Sequence, residues 1–145
     1  MERKDSELTQ IAPDPVGAML AVSLASDMLD SARENLYKNE FDQTMENSLH
    51  SIRAAASAIL LKQGCIASTF EATHSFLYSN FPHELALDSW EFMEKSSFGT
   101  NRGMAYFLFK AIGIIKKTDE QQAKQAIKTA EKFLASVQDI LGRIP

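Results

Sequence analysis

Cysteine is nearly absent from this chain: Cys65 stands alone among 145 residues. An internal disulfide is therefore excluded, and the composition fits a reducing compartment. Long apolar runs are missing as well. The longest, Ala54 to Leu61 (AAASAILL), falls far short of the ~20 residues that cross a bilayer. The opening MERKDSELTQ mixes charges of both signs and lacks the apolar segment of a secretory signal, so a cytoplasmic location is expected, with no membrane partner. No G-x-S-x-G, P-loop or G-x-G-x-x-G occurs, which removes the common hydrolase and nucleotide-cradling motifs. Neither an alternating strand pattern of useful length nor a fixed-period repeat is present.

What remains is ordinary for one globular domain: 45% hydrophobic and 23% charged residues, enough to bury a core. The net charge of −4 argues against generic nucleic-acid binding. Its distribution is uneven. Residues 102–132 carry seven Lys or Arg against three acidic residues, a net of +4 that leaves −8 for the rest of the chain. Such a segment reads first as a solvated helical face, and more sharply as a patch for an anionic ligand or acidic partner.

Helical periodicity accounts for almost everything after residue 13. Residues 1–13 read as a flexible N-terminal tail, and 14–145 as a single helical domain. Asp14 can cap a first helix with Pro15 in its first turn; Ala18, Ala21/Val22, Ala25, Met28/Leu29, Ala32 and Leu36 follow at helical spacing, and Asn39 offers a break. A second stripe runs from Phe41 through Leu49, Ile52, Ala55/Ala56 and Ile59/Leu60 to a stop at Gly64. Ser68 and Glu71 predict a capping box for a third helix from Thr69, with Phe70, His74, Leu77 and Tyr78 on its stripe. Asn80-Phe81-Pro82 interrupts the chain. A shorter helix should then run to about Lys95 and bury Leu85/Ala86, Trp90 and Met93. After a loop at 96–101, a fifth helix is expected from Arg102, with Asn101 as its cap. Thr118 and Gln121 predict a capping box for the last, whose stripe runs from Ala123 to Leu141. Short connections favour antiparallel neighbours, so the expected class is all-α: an up-and-down bundle of five or six helices.

Glu71 and His74 pose the sharpest chemical question, because E-x-x-H sets a carboxylate and an imidazole on one helical face. A di-iron bundle needs two such pairs and two further inward glutamates. EATH occurs once, and neither His50 nor His83 follows a glutamate by three. No metal and no cofactor are expected. Cys65 has no local His–Asp partner and reads as packing. His74, on an apolar stripe, reads as a core residue with a satisfied hydrogen bond.

Taken in order, the Ala-rich second helix ending LLKQG, the stretch THSFLYSNF, Arg102 opening a helix, and EQQAKQAIKTAEKFLASVQDIL resemble the HEPN domain (higher eukaryotes and prokaryotes nucleotide-binding). The resemblance covers roughly residues 18–142, and is nearest to the small prokaryotic proteins encoded with minimal nucleotidyltransferases. It implies that His74 is a family position at the start of the third helix, fixing that helix by packing and a hydrogen bond. Active members are metal-independent ribonucleases, in which an arginine is followed by histidine after four to six residues and dimerisation joins two such pairs in one cleft. The arginine would stabilise phosphate charge and the imidazole would move the proton.

Arg102 matches that arginine, but GMAYFLFKAIG follows it, and no histidine occurs after His83. Where the nucleotidyltransferase-linked subgroup often carries Ala-Asp-Tyr, this chain has Ala105, Tyr106 and Phe107. The expectation is a non-catalytic HEPN-type interaction protein, the partner of a nucleotidyltransferase in a toxin–antitoxin-like pair or of another small cytoplasmic protein. Arg102, Tyr106 and Lys110 share one helical face that could meet a phosphate or carboxylate, as in a nucleotide or RNA. The alternative is a ribonuclease in which His83 or His74 approaches Arg102; His83 is placed at a helix start, where the dipole lowers an imidazole pKa. A homodimer is expected from the resemblance, and because Trp90, Phe92, Phe98, Phe107 and Phe109 exceed what two short helices can turn toward one core.

Overall fold

A computed structural model of the protein describes residues 7–96 and 118–145. Five helices lie in that range: α1 (Pro15–Tyr37), α2 (Phe41–Lys62), α3 (Phe70–Asn80), α4 (Leu87–Ser96) and α5 (Glu120–Arg143). Two short strands, β1 (Leu8–Gln10) and β2 (Cys65–Ala67), complete the order β1-α1-α2-β2-α3-α4-α5. The expected all-α bundle is what forms. The helix anticipated from Arg102, its Asn101 cap and the 96–101 loop fall outside the described residues. No helix among the described residues is long and apolar enough to cross a membrane.

The three long helices form the body, with α2 packed against both α1 and α5. Burial of Ala55, Ala56, Ala58, Ile59 and Leu60 covers more than one face of α2, as a central helix requires. α1 starts where the sequence places it: Asp14 Oδ1 accepts from the Gly17 amide at 2.8 Å, with Pro15 in the first turn. At the α1–α2 turn Asn39 adopts φ 61°, the left-handed conformation that asparagine tolerates. Side-chain amides then link the hairpin, Asn35 Nδ2 donating to Glu40 Oε1 at 2.8 Å and Asn47 Nδ2 to Asn35 Oδ1 at 2.7 Å. Small residues let the two helices approach: Ser51 Oγ reaches the Ala25 carbonyl at 2.7 Å. Trp90, 1% exposed, fills the junction of α3, α4 and α5, edge-on to Phe70 and Phe133 with centroids 5.0 and 5.5 Å away.

Several local expectations are corrected. The tail expected over 1–13 is anchored from Leu8 to Gln10, where β1 pairs antiparallel with β2 in the register Leu8↔Ala67, Thr9↔Ile66 and Gln10↔Cys65. Gly64 makes this possible. With φ 84° it turns the chain sharply after α2, and its carbonyl accepts from the Ile11 amide at 2.9 Å. A Cβ at Gly64 would lie 2.7 Å from the Ile11 carbonyl oxygen, so only glycine fits.

Caps shift by one position for a related reason. The Ser68 amide and hydroxyl both donate to the Glu7 carbonyl, which pins Ser68 to the ladder and passes the cap of α3 to Thr69. At α5 the box is Asp119/Gln122 in place of Thr118/Gln121, each side chain accepting from the other's amide; aspartate is the stronger cap. α4 begins at Leu87, which leaves His83 in an exposed turn four residues ahead of the helix, not at its start. Tyr78 points outward from α3. Trp90 is buried in this chain's own core, as its helical stripe implies, and so drops out of the set counted toward a dimer surface, whereas Phe92 is exposed; Phe98, Phe107 and Phe109 lie outside the described residues.

Two serines on α2 have opposite roles. Ser48 Oγ is fully buried and is the one buried side-chain polar atom without a hydrogen-bond partner among the described residues, while Ser51 Oγ holds α1. Urea denaturation of Ser48→Ala is expected to show a gain of about 1 kcal/mol, from relieved desolvation and better helix propensity. Ser51→Ala should lose about 1 kcal/mol.

Candidate functional site

His74 sits mid-helix on α3, its imidazole between Phe70 (centroid 5.3 Å), Trp90 (6.0 Å) and Tyr78 (6.0 Å). Nε2 lies 3.3 Å from the Leu87 carbonyl. A carbonyl can only accept, so Nε2 carries the proton and ties α3 to the first turn of α4. The residue therefore packs and bridges two helices, the role expected for it. Glu71 is exposed in the first turn of α3, and among the described residues no group of three His, Cys, Asp or Glu side chains could hold a metal ion.

The other imidazoles are dispersed. His83 is exposed in the turn before α4. His50, on α2, accepts at Nδ1 from Arg53 Nη1 at 3.3 Å, with Glu46 4.0 Å from Nε2. Arg102, Tyr106 and Lys110 lie outside the described residues, as does any approach of His74 or His83 to Arg102. Cys65 is buried at the start of β2, and burial pushes its thiol pKa up, the reverse of what a nucleophile needs.

The most sheltered ion pair among the described residues is one the sequence does not announce. Arg53 on α2 grips Glu94 on α4 through two parallel bonds, Nε–Oε2 at 2.8 Å and Nη2–Oε1 at 2.9 Å. Trp90 Nε1 donates to the same Oε2 at 3.1 Å. The Glu94 side chain is only 7% exposed, so its charge needs both donors to offset lost hydration. This clamp lines a cleft of about 530 Å³ together with Thr69, Phe70, Glu71 and Trp90.

The polar groups of the cleft are largely committed. Glu94 is fully engaged, and Arg53 uses its remaining arm on His50. Ser57 Oγ donates to the Arg53 carbonyl, Thr73 Oγ1 to that of Thr69, and Thr69 Oγ1 to Glu7 Oε1. Among the described residues the one lining hydroxyl that donates to a carboxylate is that of Thr69, and its oxygen is already taken up in capping α3, where it accepts from the Ala72 amide. The arrangement suits holding helices together better than moving protons. A scan against protein-family models finds no match to this chain, and neither does a search of the curated proteins.

Removing the cation should leave Glu94 nearly buried without a counter-charge. Arg53→Met is expected to cost about 2–3 kcal/mol in urea denaturation, and Arg53→Met/Glu94→Gln to recover part of that loss, a positive coupling in the double-mutant cycle.

Burial also gives Cys65 a sign for pH. Its folded pKa lies above the unfolded one, so the contribution to stability is complete below the ordinary thiol range and is lost as pH rises through the folded value. Thermal melts should fall on the alkaline side, and Cys65→Ala should flatten that fall. Native-state alkylation should follow global or local opening, well behind an exposed thiol.

Proposed function

We propose that this protein is a non-catalytic, HEPN-type interaction module of the cytoplasm, self-associating and acting as the partner of a nucleotidyltransferase in a toxin–antitoxin-like pair. The observation that carries the reading is the position of its histidines. The chain has three, and His74, the one on the family-like stretch, is committed to the Leu87 carbonyl and an aromatic cluster. A ribonuclease of the HEPN kind needs an imidazole free to take a proton next to the phosphate-binding arginine. His50 is joined to Arg53, and His83 stands exposed in the turn before α4. Arg102, Tyr106 and Lys110 then serve recognition, as a face for a phosphate or carboxylate of the partner or of a bound nucleotide.

Affinity capture of the tagged full chain from its native host extract is expected to retain a nucleotidyltransferase reproducibly, with Arg102→Ala reducing its recovery. Captures in which no protein recurs would overturn the partner reading. Metal-free RNA cleavage by the wild type, abolished in Arg102→Ala, would replace it with the ribonuclease.

A further inference from the structure

The outward face of α1 is unlike the rest of the described surface. From Pro15 to Ser26, more than three helical turns, the chain has no charged residue. Its inward face is satisfied by Ala18, Ala25, Leu29 and Ala32, yet Val16, Met19, Leu20 and Leu24 remain 48–71% exposed on the opposite side. Val16, Leu20 and Leu24 follow one another at i, i+4 and i+8, and half-buried Met28 continues the row. A helix apolar on both faces is a helix covered on both faces. Exposed side chains of this size form a patch of roughly 400 Å², within the range that marks an interaction surface on a monomer.

We propose that this face is the contact between two copies of the chain, with the two α1 helices crossing antiparallel about the Leu20/Leu24 midpoint. The inference rests on the reading of the protein as self-associating but moves the contact away from the 90–109 region. Two observations favour a second copy. An uncharged stripe meets itself with no buried charge to compensate. Grooves of about 420 and 470 Å³ flank it, one reaching Ala54 and Ser57 of α2 and the other Leu141 of α5. Closing both against a partner extends the buried area toward the ~800 Å² per subunit of a stable interface. Charge sets the direction. A parallel pairing would stack Asp27 on its own counterpart, whereas the antiparallel one carries the two Asp27 side chains to opposite ends of the contact, with Lys62 in the groove beside the stripe.

Light scattering on the full chain at high micromolar concentration is expected to give a dimer, and Leu20→Glu to raise its dissociation constant at least ~100-fold. Tyr37→Glu, which alters an exposed side chain beyond the stripe, should stay dimeric. Circular dichroism should show both variants folded, since neither position is buried. Oxidising a mixture of Val16→Cys and Met28→Cys should give a cross-linked heteropair that neither variant forms alone; this readout is independent of the glutamate variant. A monomeric wild type overturns self-association altogether, including that of the proposed function. A dimer indifferent to Leu20→Glu overturns only the α1 face, and Val16→Cys linking to itself overturns the antiparallel order. None of these outcomes bears on capture of a nucleotidyltransferase.

Discussion

The close approach of α1 and α2 is the constraint on which the rest of the molecule depends. Alanines and serines on the two helices leave little between the backbones, close enough for Ser51 to reach the Ala25 carbonyl. Side chains of this kind contribute little apolar area each, so stability must come from many short-range contacts. The geometry frees the other faces of α2. One receives the apolar stripe of α5, including Phe133, Val137 and Ile140, and another carries Arg53 out to α4. A larger residue at Ala25 or Ser51 would have to push α1 outward, and α2 could not follow without leaving its other partners.

Polar residues in this protein mostly fasten elements that hydrophobic burial alone would orient loosely. α3 and α4 are short, eleven and ten residues, too short to hold a helix by propensity. Their positions are fixed by directional bonds: His74 to Leu87, Arg53 to Glu94, Trp90 to Glu94, and Arg143 to Glu84 in the turn between them. The ion pairs differ in worth. Arg33–Glu131 and Arg143–Glu84 are solvent-screened on both sides and contribute little, whereas Arg53–Glu94 is sheltered enough that losing either partner matters.

The sequence made the helical fold legible because its punctuation is local. Asp14-Pro15, Asn39 and Gly64 act through the backbone at one position, and the structure uses each as expected. It was less legible where two adjacent residues could do the same job: Ser68 against Thr69, and Thr118 against Asp119, were decided by a tertiary bond or by a small difference in capping strength. The β1–β2 ladder left no trace, since three residues are too few for alternation and the pairing is made by backbone groups common to every sequence. Of the candidate site, the part read from a local stripe is His74, whose expected hydrogen bond is made to the Leu87 carbonyl. The Arg53–Glu94 clamp was invisible because 41 residues separate its partners, and nothing in either helix marks them as complementary. Only Trp90, one turn before Glu94, hinted that this carboxylate is sheltered.

The ladder closed by Gly64 also bears on the order in which the chain assembles. Contacts between α1 and α2 span a hairpin and close a short loop, whereas Ser68 and Glu7 are 61 residues apart. Loop closure over that span is costly until the hairpin has already brought its ends together. On these grounds the strand Leu8–Gln10 is expected to lock last and open first. Its amides should exchange with solvent far sooner than those of the helices it rests on.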